Sequence, residues 1–225
     1  MAILTVIAVL VAIGIYVVLR VRAGEPLGWS FRTAIILYFY LATAVSVLVM
    51  AAGLASALKA GLSNVYGREF SYAIPALEPF GRPAAERPPA PEEQERERQR
   101  QLQWVEREYQ NDLFQGPTMA IVGALLWLVH TLARRAVAQD GHGWSGFLGK
   151  TYLAAMLIVF GVVGVISLPL GIAGVLRFLA TQPSALVPRQ PPGDAVAAAL
   201  VFVPLWLVFL AAALRQVRRE RVTSV

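Results

Sequence analysis

Cysteine is absent from the 225 residues, which removes disulfides, thiolate metal sites and cysteine nucleophiles and leaves the redox compartment undecided. Histidine occurs twice, as His130 and His142. A bis-histidine haem or a histidine-rich zinc site would need both, and they fall on different elements. Lysine is nearly absent, with only Lys59 and Lys150. Charged residues make up only 15% of the chain. The formal charge of +6 would suit a nucleic acid, but the basic residues gather at the ends of apolar runs and form no aromatic-interleaved patch, so nucleic acid is not an expected partner. No cofactor is expected.

What remains is apolar. Hydrophobic residues are 57% of the chain and the mean hydropathy is +0.58, outside the range of a water-soluble domain. Five runs are long enough to cross a hydrocarbon core of about 30 Å as helices: Ala2 to Leu19, Thr33 to Leu58, Pro117 to Leu132, Thr151 to Leu179 and Ala195 to Leu214. The third is the shortest and needs Arg134 and Arg135 to snorkel. Many β-branched residues would favour strands in water; in lipid every backbone group must be satisfied internally, and the runs are too long for barrel strands. The expected class is therefore an all-α, polytopic helical membrane protein with the lipid bilayer as its first partner. Val21-Arg22-Ala23 has the small-residue spacing of a signal-peptidase site, but no cation precedes the first run and Arg20 follows it directly, so residues 1–22 are expected to remain as an uncleaved helix.

Orientation follows from arginine and lysine beside the spans. Arg20, Arg22 and Arg32 face Glu25; Arg134, Arg135 and Lys150 face Asp140; Arg215, Arg218, Arg219 and Arg221 face Glu220. These three groups share one side of a five-span topology. The connection 61–115 carries seven arginines against ten acids, and 181–194 one of each. The expected arrangement puts the N-terminus and both of these connections outside and the C-terminal tail, 220–225, in the cytoplasm. The arginine-over-lysine bias and abundant alanine suggest a bacterium with a GC-rich genome, hence its cytoplasmic membrane.

The long connection has three parts. Gly61 to Phe80 mixes Val65, Tyr66, Phe70, Tyr72, Ile74 and Leu77 with few charges, as a segment in the membrane interface would. Arg82 to Pro91 reads RPAAERPPAP, a stiff extended linker. Pro91 then opens a helix with Glu92/Arg96, Glu93/Arg96 and Glu97/Arg100 at neighbour spacing. Its one apolar stripe, Leu102, Val105 and Tyr109, is the candidate partner-binding face; the alternative is a plain spacer into the third span.

Shifting the chain by 121 positions superposes Ser46 on Ser167, Gly53 on Gly174 and Leu58 on Leu179; shifting it by 79 superposes Leu126-Trp127-Leu128-Val129 on Leu205-Trp206-Leu207-Val208. The chain then reads as a lone first helix and two tandem helix pairs, 31–138 and 147–219, that enter the membrane in the same orientation and build a four-helix bundle. Phe31-Arg32, Tyr38-Phe39-Tyr40, and Trp127-Leu128-Val129-His130 trailed by Arg134-Arg135 resemble an uncharacterised family of bacterial four-helix membrane domains, over Phe31 to about Leu214. The second pair departs from that pattern, with Phe209 where His130 stands in the first. The resemblance implies a membrane location and a paired-helix fold and supplies no activity.

Candidate functional residues are few. His130 is the one ionisable side chain well inside an expected span, where histidines act as ligands, relays or sensors; its plainer role is a hydrogen bond to a neighbouring helix. Gly161, Gly164, Gly171 and Gly174 with Pro169 either interrupt the fourth span, freeing carbonyls for an ion, or allow close packing aided by Gly53 and Ala57; Pro204 kinks the fifth span. Tyr38, Phe39, Tyr40, Trp127 and Trp206 could frame an apolar or pigment site, although packing and lipid contact are the commoner use. Gly141-His142-Gly143-Trp144-Ser145-Gly146 matches a dinucleotide fingerprint formally but follows a membrane helix instead of a strand. Asp140, His142 and Ser145 are triad types crowded into one loop. No catalytic or metal-binding residue is expected. The favoured function is a non-enzymatic accessory or scaffold subunit whose long outer connection binds a membrane-protein partner or a second copy. The competing one is a small solute or ion transporter or channel built on the tandem pairs.

Overall fold

The structure, a computed structural model, describes residues 31–73, 91–137, 147–180 and 190–223. The expected first helix within 1–22, the proline-rich linker and the Asp140 to Ser145 loop lie outside the described residues, apart from Pro91. Among the described residues the chain is all-helical: α1 Phe31–Tyr66, the single turn α2 Arg68–Ser71, α3 Pro91–Val137, α4 Phe147–Ala180 and α5 Gly193–Thr223. The four long helices contain stretches long and apolar enough to cross a membrane, within Ala34–Tyr66, Glu95–Ala136, Leu148–Ala180 and Gly193–Arg219.

Every long helix runs further than its apolar run. α1 passes Leu58 and Lys59 and stops only at Gly67, whose φ of 92° belongs to a region that glycine enters without Cβ strain. The Gly67 carbonyl accepts the Phe70 amide and the Arg68 carbonyl the Tyr72 amide, closing α2. Part of the segment expected at the membrane interface is therefore the last turns of α1 followed by α2. α3 begins at Pro91, where a missing N–H costs nothing, and continues through Pro117. At about 1.5 Å per residue it is about 70 Å long. α4 and α5 continue through Pro169 and Pro204, so the fourth span is not interrupted. A proline removes one helical hydrogen bond, and packed neighbours in a lipid-embedded helix tolerate it.

The described residues fall in two compact units. One, the Tyr152 unit, draws on the described residues within 1–50, 121–160 and 205–225, and the other, the Lys59 unit, on those within 51–120 and 161–204. In the Lys59 unit α1 and α3 run antiparallel at backbone contact. A Cβ on Gly116 would stand 2.6 Å from the Ala57 nitrogen, and one on Gly53 would strike the Ala120 and Gly116 backbones. α4 and α5 pair likewise, with Gly164 at Val203, Gly171 at Ala195 and Gly174 at Pro192. Gly53 and Ala57 thus serve α3, while the α4 glycines serve α5. The shifts of 121 and 79 would carry the Gly53–Gly116 contact to Gly174–Ala195, yet Ala195 meets Gly171 one turn earlier. The two pairs share glycine packing but differ in register.

The Lys59 unit has a small core of Ala60, Tyr72, Val105 and Tyr109, extended by Leu113. In the Tyr152 unit aromatic rings do the packing: Tyr40 on Tyr152 at 5.6 Å between centroids, Tyr152 on Phe209 at 6.1 Å and Phe160 stacked on Phe209 at 5.3 Å. Outward faces are apolar, including Leu125 to Val129 on α3 and Ile158, Val162, Val165, Ile166 and Leu170 on α4. Faces of that extent are untenable in water and suit lipid.

Gly53 and Gly61 lie on the same helix in opposite surroundings, since nothing stands within 4 Å of a Cβ at Gly61. Gly53→Ala should destabilise the full chain in detergent by about 1 to 3 kcal/mol through overpacking. Gly61→Ala should stabilise it by up to about 1 kcal/mol through helix propensity. Thermal unfolding followed by circular dichroism reads both; equal effects would contradict the close α1–α3 approach.

Candidate functional site

The most elaborate polar constellation lies in the Lys59 unit. Lys59 sits on α1, 8% exposed. Its ammonium is 3.1 Å from Glu108 Oε1, 3.4 Å from Asp112 Oδ2 and 3.1 Å from Asp194 Oδ1. Glu108 and Asp112 share a face of α3 because they are four residues apart, and Asp194 belongs to the first turn of α5, where the helix dipole favours a carboxylate. The three ammonium protons are thus matched by three carboxylates from two helices. Nζ also lies 4.5 Å from the Tyr72 ring centroid. The Lys59 carbonyl accepts the Ser71 hydroxyl at 2.8 Å, and Gly193 rests on Ser71 so closely that a Cβ there would come within 2.5 Å of its Oγ.

Tyr72 completes the arrangement. Its hydroxyl donates to Asp112 Oδ2 at 3.0 Å. Burial, reinforced by the Asp112 and Glu108 carboxylates, pushes the phenol above its ordinary range, so it remains a donor at physiological pH. A second cation, Arg68, donates to Ser63 Oγ and Asn64 Oδ1, both at 3.1 Å, and its guanidinium carbon stands 3.1 Å from the Tyr109 ring centroid. Glu106 approaches it at 3.7 Å. The Tyr109 hydroxyl in turn donates to Asn64 Oδ1 at 3.0 Å.

An ammonium enclosed by three carboxylates is protonated and oriented, so it is no nucleophile. What the arrangement does chemically is tie α1, α2, α3 and α5 together within this unit. Of the expected partner-binding stripe, Val105 and Tyr109 are buried at 4% and 8% in this core, and only Leu102 is exposed. A partner would have to displace Tyr72 and Ala60 to reach the first two.

The residues expected within the spans are placed differently. His130 is half-buried on α3 in the Tyr152 unit. Its Nδ1 is 2.7 Å from the Leu126 carbonyl and its Nε2 is 3.2 Å from the Tyr38 hydroxyl. A neutral ring that donates from Nδ1 and accepts at Nε2 satisfies both. Tyr38 and Phe39 rings stand 5.8 and 6.3 Å away. Tyr40 is buried under the Arg134 guanidinium at 4.8 Å, which also lies 6.0 Å from the Tyr152 ring. Trp127 is exposed on the apolar face of α3. Pro169 is exposed on α4, and Gly171 is buried against α5. The buried span hydroxyls Thr43, Ser46 and Ser167 donate to carbonyls of their own helices, Phe39, Ala42 and Gly164.

Sequence reasoning missed the Lys59 constellation. The available signal was a rare lysine at the end of one apolar run, an acid at the start of another, and two acids four residues apart, Glu108 and Asp112, beside Tyr109. None of these reveals a partner 49 or more residues away.

Lys59→Ala should destabilise the protein by about 1 to 3 kcal/mol, because it leaves the part-buried Glu108 and Asp112 carboxylates without their cation. Asp194→Asn, at a side chain 71% exposed, should cost less than about 1 kcal/mol. Unfolding in detergent measures both, and a Lys59→Ala protein as stable as the parent would contradict the paired geometry. Comparison of the chain with protein families, characterised proteins and solved structures yields no match.

Proposed function

We propose that this chain is a non-enzymatic integral membrane protein of a bacterial cytoplasmic membrane, an accessory or scaffold subunit whose outer segment binds a partner. In this reading the N-terminus lies outside and the C-terminus in the cytoplasm. A lone first helix precedes two helix pairs that form a four-helix bundle, in keeping with the resemblance to bacterial four-helix membrane domains. The observation that carries the reading is the length and anchoring of α3. Its 47 residues exceed what a span requires, and the charged half is joined to α1 through Lys59 and Arg68 instead of leaving the membrane as an unsupported spacer.

Such an arm presents side chains at fixed positions. Leu102 and Trp104, at 49% and 53% exposure, are large apolar groups accessible to a partner on the side of Val105 away from the span, whereas Val105 and Tyr109 hold the arm in place. The transporter reading has less support, because α4 runs unbroken through Pro169 and the buried hydroxyls of Thr43, Ser46 and Ser167 are bonded within their own helices. Nothing in the Lys59 constellation supplies an activated nucleophile, which leaves an enzyme as the weakest reading.

Purification of the full chain in native membrane discs should yield a stoichiometric partner or a defined oligomer. Leu102→Asp together with Trp104→Asp should abolish it while leaving thermal unfolding unchanged. A lone monomer, or a complex that survives both substitutions, would overturn the scaffold reading.

A further inference from the structure

Charge is divided very unevenly between the two units. Along 1–50, 121–160 and 205–225 the sequence carries ten arginines and lysines against three acids; along 51–120 and 161–204 it carries ten against eleven. The excess does not depend on how any single cation is paired, because complete pairing of the three acids would still leave seven positive charges. Among the described side chains of the Tyr152 unit, Arg134, Arg135, Lys150, Arg215, Arg218 and Arg219 are cationic and none is a carboxylate.

Packing joins the helix segments that carry these cations. Tyr152, two residues beyond Lys150, touches Tyr40 of α1, lies 6.0 Å from the Arg134 guanidinium of α3, and meets Phe209 of α5. The C-terminal end of α3, the start of α4 and the C-terminal part of α5 therefore meet around one tyrosine. Arg134 is buried there, whereas Arg135, Lys150, Arg215, Arg218 and Arg219 are exposed. The two tyrosines are amphipathic rings of the kind that settle at headgroup depth. One turn before Arg134, Thr131 has its hydroxyl buried without a hydrogen-bond partner among the described residues.

We propose that this basic end of the Tyr152 unit binds the phosphate headgroups of anionic phospholipids. The chemistry is that of juxtamembrane cations at a negatively charged leaflet, with arginine suited to bidentate phosphate contact. Arg134, held over Tyr40, fixes the end of α3, and the exposed arginines on α3 and α5 contact the lipid. This inference rests on membrane insertion and is independent of which face of the membrane the unit occupies or whether the arm of α3 has a partner.

The test is native mass spectrometry of the full chain released from mixed micelles holding equal amounts of phosphatidylglycerol and phosphatidylcholine. Phosphatidylglycerol should be retained at least about fivefold more, the effect of one basic residue near an anionic surface. Arg135→Gln, Arg215→Gln and Arg218→Gln combined should lower that preference several-fold, with Lys150 and Arg219 accounting for what is left. Arg96→Gln, Arg98→Gln and Arg100→Gln, equal in number but located in the Lys59 unit, should leave the preference intact. Inorganic phosphate at the lipid's concentration should fail to displace it. Parity in the parent protein, an undiminished preference in the first triple variant, equal loss in the second, or displacement by phosphate would each overturn the proposal.

Discussion

A buried ammonium must be matched or it does not stay buried. Lys59 meets that constraint with Glu108 and Asp112 from α3 and Asp194 from α5, and much of the Lys59 unit follows from it. Desolvating the cation, and in part the Glu108 and Asp112 carboxylates, is costly unless geometry repays it, so each partner must be held in place. Ser71 on the Lys59 carbonyl, Tyr72 on Asp112 and the Gly193 backbone on Ser71 do this. The glycine contacts between α1 and α3 and between α4 and α5 set the approach of the helices that deliver the charges.

The same constraint accounts for helix lengths. A lysine at the end of an apolar run ordinarily marks its exit from the hydrocarbon. Here the charge is answered locally, so α1 keeps its helical hydrogen bonds to Tyr66 and stops where Gly67 turns the backbone. α3 gains from the other side: its charged half would be a marginal helix alone, with little apolar surface to bury, but Val105, Tyr109 and Leu113 give it a tertiary anchor. The Tyr152 unit is organised by rings instead, with Tyr152 joining side chains of α1, α3 and α5.

Much of the helical content was legible in the sequence, because long apolar runs in lipid admit only helix. Their ends were not. Leu58 reads as an end only while Lys59 is taken to be solvated, and Pro117 reads as a start although α3 passes through it. The stripe Leu102, Val105 and Tyr109 was visible as an apolar face, but of its complement Ala60 lay just past an expected span end and Tyr72 in a segment whose sequence suggested an interface with lipid. The hydrogen bond of His130 to another helix was anticipated in kind, and Tyr38 as its partner was not. Glycine positions signalled close packing without saying which helix would come close: Gly53 goes to α3, and Gly171 and Gly174 go to α5. Spacing within a helix is written in sequence, whereas pairing across 49 residues, as in Lys59 with Glu108, is a property of the assembled fold.

The most direct measurement is amide hydrogen exchange of the full chain in lipid nanodiscs. If the Lys59 unit is held together by its buried ion pairs, amides of 59–66 and 105–113 should exchange as slowly as those of the apolar stretches, while 92–98, which bury little, should exchange quickly. Fast exchange running uniformly from 92 to 113 would contradict the central claim.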